Sequence, residues 1–380
     1  MIKILSLYHK NYNYGGQLQA WALHHVLVQS GKRCVQISFQ HSSTFNRSIL
    51  SRLSSLTVEK VLNKIVRISY FNFNKKLAGR RKKFIEFEET IPHTKVYSEK
   101  TISECVNDGD IFVVGSDQVW NPDWTSSTYF LDFVPKSNLK VAYAASLGKN
   151  KVSNDFLEQV SHYLDDFAFI SVREKEAKIV LENHLKKKIS LVLDPTLLVN
   201  EKEWQNQAIT SLPEQSYIFV YLLGDNVNHK RKIKEYAKRK NLEIVYIPHI
   251  HFHYDNSDCG FADKELYDVG PKEFLGLIRN ASEVITDSFH GCVFSVIFKK
   301  QFCAFKRHQD NLDSNMNSRL YTLFDFLSLK SRLIEDSFSI EDMLNIMSSR
   351  IDYEKTEKTL SELRKQSLDY LMNAISDKTR

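Results

Sequence analysis

The sequence predicts an α/β protein built from two doubly wound domains that face each other across a cleft, with further helices at the carboxyl end. Three observations carry this expectation. Short apolar, strand-like runs alternate with helix-like segments through the first half of the chain, and the alternation restarts at Tyr217 after the polar, irregular stretch 199–215, a linker candidate. Polar turns repeatedly follow the apolar runs and open the next helix, which is where doubly wound sheets place their ligands. At 380 residues, the chain is long enough for two such domains. The expected division is 1–205 for the first, Rossmann-like domain, with a basic helical insertion at about 44–100. A second Rossmann-like domain at 206–335 and C-terminal helices at 336–380 complete it.

Composition narrows the class. Apolar residues at 42% and charged residues at 26% are those of an ordinary globular chain. A net charge of +6 permits an anionic substrate or membrane surface without indicating nucleic acid. The five cysteines (34, 105, 259, 292, 303) form no pattern, and an odd count without pattern points to a reducing compartment. The apolar run Met1–Leu7 is too short for a signal peptide, and no run approaches a membrane span. A cytoplasmic protein is expected.

In the first half, Ile2–Tyr8 reads as a strand. It is followed by a turn carrying Gly15, Gly16 and Gln17, and by a helix over Leu18–Gln29. The glycine pair lets backbone approach a ligand closely, but GxGxxG is absent and no dinucleotide site is read. Arg33–Phe39 is the next strand. Between 47 and 83, eleven Lys/Arg face one acid, Glu59, and apolar residues recur at helical spacing. Such a segment suits either peripheral contact with an anionic membrane, here at its inner face, or a solvated helix beside an acidic-substrate cleft. Asp110–Val114 is a strand whose following turn holds Ser116, Asp117 and Asn121, able to cap the next segment or to bond sugar hydroxyls. Trp120 and Trp124 can stack on a pyranose face or be buried. Strands follow at Lys140–Ala145, Phe167–Val172 and Ile189–Leu193. Arg173 stands at the end of the second of these, where a guanidinium can clamp a carboxylate or phosphate, or join a surface ion-pair cluster.

In the second half, strands are expected at Tyr217–Leu222 and Leu242–Ile247, around a helix over Asn228–Arg239. His249, His251 and His253 fall on one face if extended, but no second cluster supports a metal, and a polar cleft-lining segment is expected. After the helix Pro271–Ile278 comes the stretch that organises the chain: Val284 and Ile285, then Thr286-Asp287-Ser288-Phe289-His290-Gly291. It reads as strand, N-capping turn and helix, and the helix start is a ready anion site. His290 in its first turn can exchange a proton near neutral pH. Gln301–Phe305 is a strand followed by Lys306 and Arg307, and Asn317-Ser318 cap a helix beginning with Arg319. Arg173, His290 and Arg319 can then converge on the cleft. The layout resembles the two-domain GT-B architecture.

Taken in order, Asn13–Ala20, Gly115–Pro122, Ser171–Glu174, Leu193–Thr196, Thr286–Gly291 and Asn317–Arg319 resemble the polysaccharide pyruvyl transferases. The resemblance runs from residue 1 to about 330. It implies transfer of the enolpyruvyl unit of phosphoenolpyruvate onto two hydroxyls of a sugar, giving a pyruvate ketal and inorganic phosphate. The acceptor is a sugar or lipid-linked oligosaccharide. By resemblance, His290 is the acid/base residue, and Arg173, with Ser288, Phe289 and Arg319, binds the donor. Gly15, Gly16, Gln17, Ser116, Asp117 and Asn121 are expected to bind the acceptor or line the cleft. Neither a cofactor nor a metal is implied. One departure stands out: some members carry arginine where this chain has Ser288, and Arg319, Lys306 or Arg307 is then the candidate substitute. Two other readings fit the sequence: a GT-B glycosyltransferase using a nucleotide sugar, and a non-catalytic polysaccharide-assembly protein.

Overall fold

The computed structural model describes residues 1–41, 75–210, 212, 216–249, 258, 260–307, 315–335 and 337–376. Most of the basic stretch 47–83, together with His251, His253 and Cys259, lies outside the described residues. Two six-stranded sheets organise the chain. The first holds β1 (Ile2–Leu5), β2 (Cys34–Gln36), β3 (Ile111–Val114), β4 (Leu139–Ala145), β5 (Phe169–Val172) and β6 (Ser190–Leu191) in the order β2-β1-β3-β4-β5-β6. The second holds β7 (Tyr217–Tyr221), β8 (Glu243–Tyr246), β9 (Lys264–Glu265), β10 (Glu283–Thr286), β11 (Gln301–Phe305) and β12 (Leu333–Ile334) in the order β12-β11-β10-β7-β8-β9. Among the described residues every strand pair is parallel. In each sheet the order reverses at one point, between β1 and β3 and between β10 and β7. A crevice opens at such a reversal because the flanking connections leave in opposite directions.

The helices follow from caps and buried faces. Among them are α1 (Tyr14–Gln29), α2 (75–88), α3 (Asn154–Leu164), α4 (Lys175–Leu185), α5 (Pro195–Leu198), α6 (Glu201–Gln207), α7 (Val227–Lys240), α8 (Pro271–Asn280), α9 (Phe289–Ile297), α10 (Ser318–Leu327), α11 (Ile340–Ser348) and α12 (Tyr353–Ser376). Helix α1 begins four residues before the expected Leu18. Asn13 caps it by accepting from Gly16 N at 3.1 Å, so the glycine pair forms the first helical turn and not a loop. The stretch 199–215, expected to be irregular, contains α6. There Asn200 caps the helix and Trp204 is fully buried against Trp21 and Phe294. Burial of one large ring outweighs a polar local composition.

Two helices tie the domains together. Helix α12 returns to the first domain, where Ser367 Oγ accepts from Leu193 N at 3.0 Å and Arg364 Nε donates to Leu197 O at 2.8 Å. Helix α2 crosses the cleft. Near its end, Glu88 holds His9 Nδ1 at 2.5 Å and Lys10 N at 3.0 Å on the first domain. Near its start, buried Arg80 donates to three carbonyls of the second domain, Tyr267, Leu266 and Pro248, at 2.9, 3.0 and 3.2 Å. Arg80→Met keeps the stem but strands those carbonyls. It should cost about 3 kcal/mol of stability, since charged hydrogen bonds and orphaned acceptors each carry about 1–3 kcal/mol. Urea unfolding checks this; a loss under about 1 kcal/mol would make α2 a passive neighbour of the second domain.

Among the described residues, no helix is long and apolar enough to cross a membrane. Among the described residues, Cys34, Cys105, Cys292 and Cys303 form no disulfide, and all but half-buried Cys34 are buried.

Candidate active site

The turns after β1, β3, β5 and β6 of the first domain meet those after β10 and β11 of the second. Arg173, directly after β5, is the hub. It is 3% exposed, and its guanidinium bonds Asp194 through Nη1, Ser116 Oγ at 3.3 Å, and Asp117 Oδ1 at 2.9 Å through Nη2. Glu174 Oε1 lies 3.5 Å from its Nε, which makes no hydrogen bond. Burial alone would lower the Arg173 pKa, but Asp194, Asp117 and Glu174 outweigh it and raise it, so the charge is permanent. The guanidinium faces the ring of Phe289 at 4.9 Å, a cation–π contact across the domain boundary.

His290 enters from the second domain. Ser288 caps α9 by accepting from Gly291 N at 3.3 Å, which fixes His290 in the first turn. The ring is 7% exposed, and its Nε2 sits 3.8 Å from Asp194 Oδ1 with no hydrogen bond of its own. Asp194 is fully committed elsewhere: its Oδ1 accepts from Thr196 N at 3.0 Å and Oγ1 at 2.6 Å, and its Oδ2 from Ser116 Oγ at 3.2 Å. Burial pushes this carboxyl up, but Arg173 more than reverses it and holds Asp194 well below the usual carboxylate range. The imidazole thus faces a fixed negative charge with an unshared nitrogen. Opposite it stands Gly15 in the first turn of α1, where any Cβ would overlap the His290 ring. Gly15 is therefore a close-approach glycine.

Asp287 is not a free acid. Its Oδ1 accepts from Leu223 N at 2.7 Å and its Oδ2 from Gly224 N at 2.8 Å, tying the turns on either side of the second reversal. Arg319, in the first turn of α10, is 7% exposed; burial and the like charges of Arg173 and Arg307 push its pKa down to about 10. With the Gln118 amide oxygen turned toward it, Arg319 donates to that oxygen from Nη1 at 2.9 Å and from Nη2 at 3.3 Å.

The fold thus brings together Gly15, Ser116, Asp117, Arg173, Phe289 and His290, with Gly16 beside Asp117 and Arg319 close by. It turns three of the residues expected at the acceptor or cleft wall inward. Gln17 is 1% exposed and donates to Tyr8 O at 2.9 Å. Asn121 is fully buried, its Oδ1 accepting from Asp123 N at 3.0 Å, which is the capping role the turn allowed. Ser116 is also fully buried, supporting Asp194 and Arg173 from behind. Trp120 is buried on Phe130, while Trp124 is exposed. The open cleft, about 390 Å³, lies one residue from Gly15. Its walls include Tyr12, Tyr14 and Tyr221 with Lys10, Arg80 and Arg81, and His249 also lines it. Among the described residues, no cluster of His, Cys, Asp or Glu could hold a metal. Sequence reasoning gave Asp194, Glu174 and Gln118 no role in the site. Asp194 stood in the segment Leu193–Thr196 that carries part of the resemblance, but nothing local to that segment shows that it faces His290.

The family model for polysaccharide pyruvyl transferase matches residues 13–309. The chain belongs to the polysaccharide pyruvyl transferase family. The matched span holds every expected site residue except Arg319. No curated protein matches this pyruvyl transferase family member. Among solved structures, UDP-GlcNAc 2-epimerase from Neisseria meningitidis bound to UDP-GlcNAc is similar at 10% identity, with 98% of this chain and 99% of that chain covered and a TM-score of 0.52. An E. coli structure described as trehalose-6-phosphate bound with UDP-2-fluoro glucose is similar at 8% identity over 100% of each chain, with a TM-score of 0.53. These likenesses are of fold, and the fold is GT-B.

Proposed function

We propose that this transferase moves the enolpyruvyl unit of phosphoenolpyruvate onto two hydroxyls of a sugar in a surface-polysaccharide precursor. The observation that carries the reading is His290 Nε2: buried, unshared, 3.8 Å from the Asp194 carboxylate and one residue from the Phe289–Arg173 contact. A proton carrier beside a permanent cation is what the reaction requires.

Protonated His290 gives its proton to the methylene carbon of the donor, which becomes a methyl group. The adjacent carbon takes on oxocarbenium character. The first sugar hydroxyl bonds to that carbon, and its proton returns to His290. The bond from that carbon to the phosphate oxygen then breaks, and phosphate leaves with the bonding pair. The second hydroxyl closes the ketal ring, and its proton departs on the phosphate. Arg173 holds the donor's carboxylate close to the developing positive charge. Asp194 faces His290 without accepting its proton, being held ionised by Arg173. Tyrosines and cations on the cleft walls suit a sugar that still carries a phosphate-linked lipid, met in the cytoplasm at the inner membrane face.

Calorimetry with phosphoenolpyruvate, and with a UDP-sugar as control ligand, tests the donor. Micromolar-range binding of phosphoenolpyruvate alone is expected, weakened roughly tenfold or more in Arg173→Lys, which keeps the charge but loses the planar fork. Preference for the UDP-sugar would overturn the reading in favour of a glycosyltransferase.

A further inference from the structure

Asp194, the carboxylate opposite His290, sits on the short segment between β6 and α5. What holds that segment from behind is α12, which lies outside the span 13–309 matched by the family model. Leu193, the residue before Asp194, has both of its peptide groups held. Its N–H donates to Ser367 Oγ at 3.0 Å, and its carbonyl accepts from Tyr143 Oη at 3.1 Å. The Ser367 and Tyr143 hydroxyls also bond each other. Tyr143 is fully buried and Ser367 nearly so, so a lost bond here leaves a stranded polar group. Three residues past Asp194, Leu197 O accepts from Arg364 Nε at 2.8 Å. Helix α12 thus grips the Asp194 segment on both sides.

The other end of α12 lies on the second domain. Tyr353, its first residue, donates through Oη to Lys300 O, and Ser295 O lies 3.4 Å from the same hydroxyl. Ser295 belongs to α9, the helix that carries His290 in its first turn, and its Oγ donates to Gly291 O at 2.7 Å. Between these ends α12 buries Leu360, Leu371 and Ala374. Its 24 residues make one helix about 36 Å long, reaching from the His290 helix to the Asp194 segment. His290 Nε2 and Asp194 Oδ1 stand 3.8 Å apart with no hydrogen bond between them. Their spacing is therefore set by what holds each residue from behind.

We propose that α12 sets the spacing of the His290–Asp194 pair, with Ser367 as the positioning residue that fixes Asp194 through Leu193. The catalytic consequence rests on the pyruvyl transfer reading, in which His290 carries the proton; the spacing itself does not. When Asp194 shifts, Arg173 keeps its bonds to Asp117 and Ser116. Proton transfer therefore depends on Ser367 more than donor binding does.

Crystal structures and two solution assays of the full chain test this on Ser367→Ala and Ser367→Thr. The assays are calorimetry with phosphoenolpyruvate, and phosphate release from it with water in place of the sugar, which leaves pyruvate. In Ser367→Ala the Leu193 N–H loses its acceptor. The His290–Asp194 separation should then grow by about 0.5 Å or more, beyond the tolerance of a preorganised site. Phosphate release should fall roughly tenfold while donor binding stays within about threefold of the parent's. Ser367→Thr keeps the hydroxyl and should keep the parent's rate, which a merely space-filling serine would not predict. An unchanged separation or an unchanged rate in Ser367→Ala would overturn the proposal and leave the transfer reading intact. Release and binding that fall together would overturn it as well, since that pattern marks general loosening. So would a loss in Ser367→Thr equal to that in Ser367→Ala. A parent that does not bind phosphoenolpyruvate would overturn the transfer reading. In that case, or where the parent binds the donor without releasing phosphate, the separation alone decides: longer in Ser367→Ala supports the positioning, unchanged overturns it. If Ser367→Ala does not fold, Tyr143→Phe frees Leu193 from the other side at nearly constant volume and is judged by the same criteria.

Discussion

His290→Gln should lower turnover by roughly 10²–10⁴-fold while phosphoenolpyruvate binding stays within a few-fold of the parent. The glutamine amide fills much of the imidazole's space and can still reach Asp194, but it cannot carry a proton. The surroundings predict a clean separation of rate from binding. Ser288 caps α9 through its own hydroxyl, so the helix start survives the change. Arg173 is held by Asp194, Asp117 and Ser116 and not by His290. Phosphate release measured with the sugar acceptor, beside calorimetric donor binding, checks both halves. Turnover within about threefold of the parent would remove His290 from proton transfer and leave its buried nitrogen without a function.

How much of this was legible beforehand depends on whether the cause was local. Strand–helix alternation is written in short-range periodicity, and the paired sheets and the GT-B arrangement followed from it. The turn after β10 announced itself through capping residues, and Ser288 caps α9 as that pattern implies. Helix starts were less legible. The glycines at 15 and 16 argued for a loop, whereas Asn13 and the burial of Tyr14 draw them into α1. Trp204 converted an apparent linker into a packed helix for the same reason: tertiary burial overrides local polarity. Least legible were contacts between distant segments. Gly15 must be small because the His290 ring lies against it, and Asp194 matters because it meets both Arg173 and His290. Neither fact leaves a trace in the spacing of neighbouring residues. Gln17 and Asn121 were misplaced for the converse reason. Polar residues in turns look available to ligands, yet here neighbouring groups of the protein hold them: Tyr8 O and Glu88 accept from the Gln17 amide, and Asn121 bonds Asp123 N and the Gln118 side chain.

Asp194→Asn should be the most destabilising single change at the site, costing about 3–5 kcal/mol near neutral pH, because removing one partner of a buried pair strands the other. Arg173 is 1% exposed in its side chain and Asp194 0%, so water cannot replace the lost charge. Asp117, at 13%, keeps part of its pairing with Arg173, which holds the expected loss within that range. The pH dependence gives the sharper check. Burial and the opposing pull of Arg173 leave the folded carboxyl well below its unfolded value of about 3.9. A depressed carboxyl stabilises the fold above the unfolded pKa, and the contribution is lost as pH falls toward the folded one. The parent should therefore lose stability below about pH 4 more steeply than Asp194→Asn, and the two curves should converge on acidification. Glu174 works the other way: burial raises its pKa, so it favours the folded state at low pH. It is present in both proteins and largely drops out of the comparison. Urea midpoints at pH 7 and at about pH 2, inside the window between the unfolded and folded pKa, measure the gap. A gap that does not narrow at the lower pH would mean that the Asp194 charge is not what holds Arg173 in place, and that the asparagine fails through its hydrogen bonds to Thr196 and Ser116 instead.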